Sequence, residues 1–195
     1  MKKIFLILFL AIFGLGKSQV SDDYKKTVVT SFIDYNRLLI NKDFEKALEY
    51  MPSQFFDIVS KKQLILFIEK LYNNPEMEFK FSEPTNIVVG DVKQIEGKYY
   101  VPIDYHSNLK VKYNLEKKDD KEENKLQANL IKMMLEEKFN TEVQYDEKTG
   151  FYDINKNKRC IAISSKEIKD WKFIVIEKKR KFLLQKLFPK ELIDF

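Results

Sequence analysis

The chain has one cysteine, one histidine and one tryptophan in 195 residues, with five glycines and five prolines. With Cys160 alone no internal disulfide forms, so the fold stands on packing. In the segment RCIAIS that cysteine alternates with Ile161 and Ile163, the pattern of a small buried side chain on a strand. His106 and Cys160 lie far apart, which leaves no residue set for a dedicated transition-metal site, and no cofactor is expected. No glycine-rich phosphate loop occurs, and neither H-E-x-x-H nor G-x-S-x-G is present.

What is there begins with a charged start. Lys2 and Lys3 precede an apolar run, Ile4 to Leu15, and then Gly16-Lys17-Ser18. This reads as a secretory signal peptide over residues 1–18, with small residues at −3 and −1 for cleavage after Ser18. An uncleaved N-terminal anchor is the alternative. No cysteine follows the run to take a lipid. The expectation is an exported chain, periplasmic or secreted, without stable membrane insertion after cleavage. Removing Lys2, Lys3 and Lys17 takes the net charge from +5 to +2. Lysines and acids are interleaved, which makes a mixed solvated surface and no nucleic-acid footprint. Residues 19–195 are long enough for one domain with a core of its own.

The stretch Lys98–Tyr113, KYYVPIDYHSNLKVKY, organises the rest. Its odd positions run Tyr99, Val101, Ile103, Tyr105, Ser107, Leu109, Val111, Tyr113. Strand side chains alternate between faces, so this is one long strand with one face built for a core. Pro102 lacks a backbone donor and calls for an edge or a bulge. Before it come helices: Ser21 to Ile40, a short one capped by Asp43, and one opened by the capping box Ser60-Lys61-Lys62-Gln63 with the stripe Leu64, Phe67, Ile68, Leu71. Met77 to Phe81 alternates as a strand. A second strand spans Thr85 to Ile95, with a break at Gly90-Asp91. After the long strand, EKKDDKEENK reads as a solvated loop and helix start. The helix that follows, to Phe139, carries Leu126, Leu130, Met133 and Met134 along its expected core side. Strands at Thr141–Asp146 and Phe151–Asn155 are joined by a Glu147–Gly150 hairpin loop. Two more follow at Arg159–Ser164 and Trp171–Ile176, then a helix over Glu177–Phe188. Ile174 and Ile176 put apolar residues on the second face of the last strand. The inserted helix, the terminal helix or a second subunit must cover them.

Helices followed by a strongly bent antiparallel sheet with one apolar face resemble the plan of the nuclear transport factor 2-like superfamily, α+β cones also described as cystatin-like. Asn41-Lys42-Asp43-Phe44-Glu45-Lys46-Ala47-Leu48 resembles its second-helix pattern, and Lys169-Asp170-Trp171-Lys172-Phe173 its late strand with a leading tryptophan. The likeness spans Asp22 to Ile176. The inserted and C-terminal helices depart from the plan and look like features of an exported bacterial branch. The resemblance implies an α+β conical barrel with N-terminal helices packed on the bent sheet and enclosing a pocket. Some members of the superfamily are isomerases, dehydratases or cyclases; many only bind ligands or proteins.

Asp104 and His106 share a strand face with Cβ atoms about 7 Å apart, a spacing that suits a base and its orienter. Their even positions place them opposite the core face, as a surface pair. The inward polar groups Tyr35, Tyr99, Tyr105 and Ser107, with Ser31 beside them, are the better ligand-binding candidates. The expectation is an exported, non-enzymatic domain that binds a small apolar ligand or a partner protein, with a homodimer through the sheet as one form. Two alternatives stay open. An isomerase or hydro-lyase needs a helix carboxylate such as Asp34 or Asp57 in the cavity. An envelope-associated structural protein needs no ligand.

Overall fold

The computed structural model describes residues 23–116, 119–165, 170–177, 184–185 and 188–192. The expected signal peptide, the Ser21 cap and most of the expected C-terminal helix lie outside them. The protein is α+β. Three helices come first: α1 (Asp23–Ile40), α2 (Phe44–Glu49) and, after a 3-10 turn at Ser53–Asp57, α3 (Lys61–Tyr72). Then follow β1 (Met77–Phe81), β2 (Thr85–Val89), β3 (Lys93–Ile95), β4 (Lys98–Tyr113), α4 (Lys121–Phe139), β5 (Val143–Asp146), β6 (Phe151–Ser164) and β7 (Lys172–Ile176). All seven strands form one antiparallel sheet around the β4–β6 pair. β1, β2 and β3 line the outer edge of β4; β5 and β7 line that of β6. The sheet is open and does not close into the conical barrel that the resemblance implied.

Local chemistry sets the boundaries. The Asp43 carboxylate accepts from Lys46 N–H to start α2. The Ser60 hydroxyl accepts from Gln63 N–H at 3.2 Å, which is the N-cap half of the capping box, and donates to Gln63 Oε1 at 2.9 Å, so the Gln63 side chain meets the Ser60 hydroxyl in place of its backbone N–H. Glu96 and Gly97 both take positive φ, the requirement of a two-residue hairpin turn, and join β3 to β4. The expected Thr85–Ile95 strand divides into β2 and β3 at Gly90. There the Pro102 carbonyl accepts from Gly90 N–H at 2.8 Å. A strand residue's N–H and C=O point to the same edge, so the missing donor of Pro102 falls at the break between β2 and β3. The two strands expected at Phe151–Asn155 and Arg159–Ser164 are one, β6. Its middle, Lys156-Asn157-Lys158, has no apolar alternation to announce a strand, but every residue of it pairs with β4.

The odd face of β4 is a core face toward both ends, each covered by a different helix. α1 lays Tyr24, Val28 and Phe32 against Val101, Ile103 and Tyr105, with Cys160, Trp171 and Phe173 completing the first core. Burying Phe32 alone is worth about 2–3 kcal/mol. At the other end Leu135 of α4 is buried with Val111, Val143, Tyr152 and Ile154. The even face is apolar at one end only, where Tyr100, Ile161, Ile163 and Ile174 meet Leu184, Phe188 and Leu192 of the C-terminal segment and Phe55. That segment, with Phe55, covers the second face that the sequence left open.

One expected stripe turns outward and another splits. Of α4's apolar residues, Leu135 is buried and Ile131 and Phe139 pack beside it, while Leu126, Leu130, Met133 and Met134 are exposed. The helix carries apolar residues on two sides, and its packing on the sheet, with its C-terminal anchorage, selects between them. Asn140 ends it in the left-handed conformation, and Val143 N–H donates to Glu136 Oε1 at 3.2 Å. On α3 the expected stripe splits. Leu64 and Ile68 are half-buried, but Phe67 (65%) and Leu71 are exposed. At its C-terminal end Tyr72 meets the neighbouring elements, its ring 5.0 Å from Phe44, 6.2 Å from Phe79 and 6.1 Å from Phe81.

Candidate functional site

The β4–β6 register decides what each face offers. On the odd face the rungs run Tyr99–Ser164, Val101–Ala162, Ile103–Cys160, Tyr105–Lys158, Ser107–Lys156 and Leu109–Ile154. Tyr35 and Tyr105 come together in the first core. Tyr105 is buried, its ring edge-on to Phe32 at 4.9 Å, and Tyr35 stacks on Phe173 at 5.7 Å. Burial, then the neighbouring Cys160, pushes both phenols above their ordinary range, so both are neutral. Tyr99 packs at the edge of the same core, at the far end of the strand from Ser107. The half-buried Ser107 sits on the Lys156 rung, between the two cores. The four candidates are thus spread along one face, and only Tyr35 and Tyr105 are neighbours.

Two cations on this face come from the partner strand, where the sequence of β4 alone shows none. Lys158 lies opposite Tyr105, and its ammonium is pushed below the usual lysine range by burial, which the Glu177 carboxylate offsets only in part. Lys156 Nζ donates to the Phe139 carbonyl at 2.6 Å, where α4 ends. The missed signal is the register: Lys156 and Lys158 are separated by even steps from, and so in phase with, the core residues Cys160 and Ala162.

The even face carries complementary polar rungs. Arg159 grips Asp104 with two parallel bonds, Nε to Oδ1 and Nη2 to Oδ2, each 2.6 Å. That contact holds the Asp104 carboxyl below its ordinary range. His106 faces Asn157 Oδ1 through Nδ1 at 3.1 Å and Asn155 Oδ1 through Nε2 at 3.3 Å. Asn155 donates an amide hydrogen to Asp153 Oδ1 at 2.9 Å, and its own oxygen faces the ring. Asn108 donates to both Asp153 and Asn155 and accepts from the Ser82 hydroxyl at 3.0 Å. A shallow cleft of about 530 Å³ opens above these rungs, between Asn86, Asp104, His106, Asn157 and Arg159. Asp104 and His106 therefore occupy the face opposite the first core, as their phase implied, and each is held by a β6 side chain and not by the other.

Asp34 and Asp57, the carboxylates an acid–base enzyme would need in a cavity, are both exposed. Asp34 pairs with Arg37 at 4.0 Å. Among the described residues no group of three His, Cys, Asp or Glu side chains is placed to hold a metal ion. No helix of the described residues is long and apolar enough to cross a membrane. Compared with known protein families, curated proteins and solved structures, the chain matches none.

Proposed function

We propose that the chain is an exported, non-enzymatic binding domain on the nuclear transport factor 2-like plan, and that it engages a protein partner through the outer faces of α3 and α4. The plan is supported by the order of elements: three helices, then an antiparallel sheet whose long strand packs its odd face on α1. The observation that carries the binding reading is the exposure of large apolar side chains on two helices, Leu66, Phe67 and Leu71 on α3 and Leu126, Leu130 and Met133 on α4. Exposed apolar groups set among charges mark interaction surfaces. The non-enzymatic reading is supported by the polar rungs, in which the one aspartate–histidine pair is already committed to Arg159, Asn155 and Asn157.

The test is photo-crosslinking in the exporting cell, with benzoylphenylalanine placed at Phe67, at Met133 and at the exposed polar control Glu45. A discrete cross-linked band from either helix and none from the control is expected. A band at twice the chain mass identifies a second copy as the partner. Only monomer from all three positions would overturn the proposal.

A further inference from the structure

The inner stripe of α4 changes character along its length. Ile131, Leu135 and Phe139 close the second core, but toward the N-terminus the same stripe continues as Ala128, Gln127 and Asn124. Small and amide side chains do not fill the space that leucines would. A cleft of about 470 Å³ remains between this half of the helix and the end of the sheet. Its floor is a row of three tyrosines from three strands: Tyr113 of β4, Tyr152 of β6 and Tyr145 of β5. Tyr145 and Tyr152 are cross-strand partners with rings stacked at 4.6 Å, and Tyr113 meets Tyr152 edge-on at 6.3 Å. The Tyr152 hydroxyl donates to the Ala128 carbonyl at 3.2 Å, which ties roof to floor at one point. Burial pushes that phenol up to about 12, so it stays a neutral donor at physiological pH. Gly150, with φ of +76°, lets the hairpin turn without a side chain at the rim.

The lining narrows the ligand. Its volume suits a small molecule of one or two rings. Tyr152 is buried against Tyr145 and Ala128, which leaves Tyr145 and Tyr113 below and the amide side chains above to fit a ligand with an apolar ring face and a rim of hydroxyls. Among the described residues of the lining, Lys112 and Glu116 carry opposite charges, so those residues show no cation surplus for a phosphate. The cleft is open to solvent and mixed in polarity, unlike a tunnel for an acyl chain. We infer that this cleft is a binding site for a neutral pyranose saccharide of one or two rings, seated against Tyr145 and Tyr113 with its hydroxyls toward Gln127. The inference is independent of the protein-partner reading, since it uses the inner face of α4 and not the outer.

The test is saturation-transfer NMR on the full mature chain with cellobiose, maltose and N,N′-diacetylchitobiose. Glucose 6-phosphate serves as the charged control and indole as the purely aromatic one. At least one neutral disaccharide is expected to bind with a millimolar or tighter Kd. Affinity should fall at least about tenfold in Tyr145→Ala, which removes an exposed stacking face. Gln127→Trp, which fills the cleft from the opposite wall, should abolish binding. Each variant is compared only if its thermal midpoint matches the parent chain; Tyr145 is partly exposed, so Tyr145→Ala is expected to fold. Transfer to no neutral pyranose would overturn the inference, and so would binding of indole alone or an affinity unchanged in both variants.

Discussion

Arg159 reaches across the β4–β6 pair to hold both oxygens of Asp104, its register partner, at 2.6 Å. The contact spans 55 residues of sequence and joins the two strands on which every other strand is hung. Asp104→Asn keeps the shape and removes the charge. Both groups are partly exposed, so solvent screening limits the loss to about 0.5–1 kcal/mol in urea unfolding at pH 7. The sign with pH follows from the depressed carboxyl. Its stabilisation is complete above the unfolded value near 3.8 and is lost as pH falls through the lower folded value. The gap between parent and variant should therefore close below pH 4, and shrink in high salt at pH 7. A gap unchanged at pH 2 would mean that the pair does not supply it.

Lys158 behaves in the opposite sense to a stabilising ion pair. Its charge is held in partial burial opposite Tyr105 at a cost that Glu177 does not fully offset. Lys158→Met should raise stability at pH 7 by up to about 1 kcal/mol. The folded ammonium value is depressed, so the parent chain regains this stability as pH rises through it toward the unfolded value near 10.5. Denaturation midpoints at pH 7 and pH 10 measure both effects. The advantage of the variant should shrink at the higher pH.

Gly90 has no room for a side chain. A Cβ there would stand 2.7 Å from Pro102 Cγ, in the ring that marks the break between β2 and β3. Its carbonyl also accepts from the Tyr24 hydroxyl at 3.1 Å, which ties α1 to the sheet edge. Gly90→Ala should cost about 1–3 kcal/mol by overpacking. Tyr24→Phe, which removes only the hydroxyl, should cost about 1 kcal/mol. Chemical denaturation of both variants separates the steric effect from the hydrogen bond.

Cys160 is fully buried in the first core, and burial pushes its thiol well above the ordinary range. It should not react with a disulfide reagent such as dithionitrobenzoate in the native protein, and should react fully in denaturant. Rapid native labelling would contradict the burial. Cys160→Ser places a hydroxyl in that apolar site and should cost about 1–3 kcal/mol.

The alternation in Lys98–Tyr113 was enough to place Asp104 and His106 opposite the core and Tyr105 within it, because strand side chains alternate with no tertiary help. Caps at Asp43 and Ser60 and the turn at Glu147–Gly150 were legible for the same reason: each depends on neighbours in sequence. Three other features depended on contacts between distant segments. α4 carries apolar residues on two sides, and its packing on the sheet, with the anchorage at Asn140 and Val143, decided that Leu135 faces the sheet and Met133 the solvent. The continuity of β6 through Lys156-Asn157-Lys158 came from pairing with β4, since those residues have no strand pattern of their own. The two lysines on the core face, the Arg159 grip on Asp104 and the tyrosine row beneath α4 likewise exist only once the register of separate strands is set. Periodicity assigns a side chain to a face of its own element; which other residues share that face, and which face is covered, is decided by packing between elements far apart in the chain.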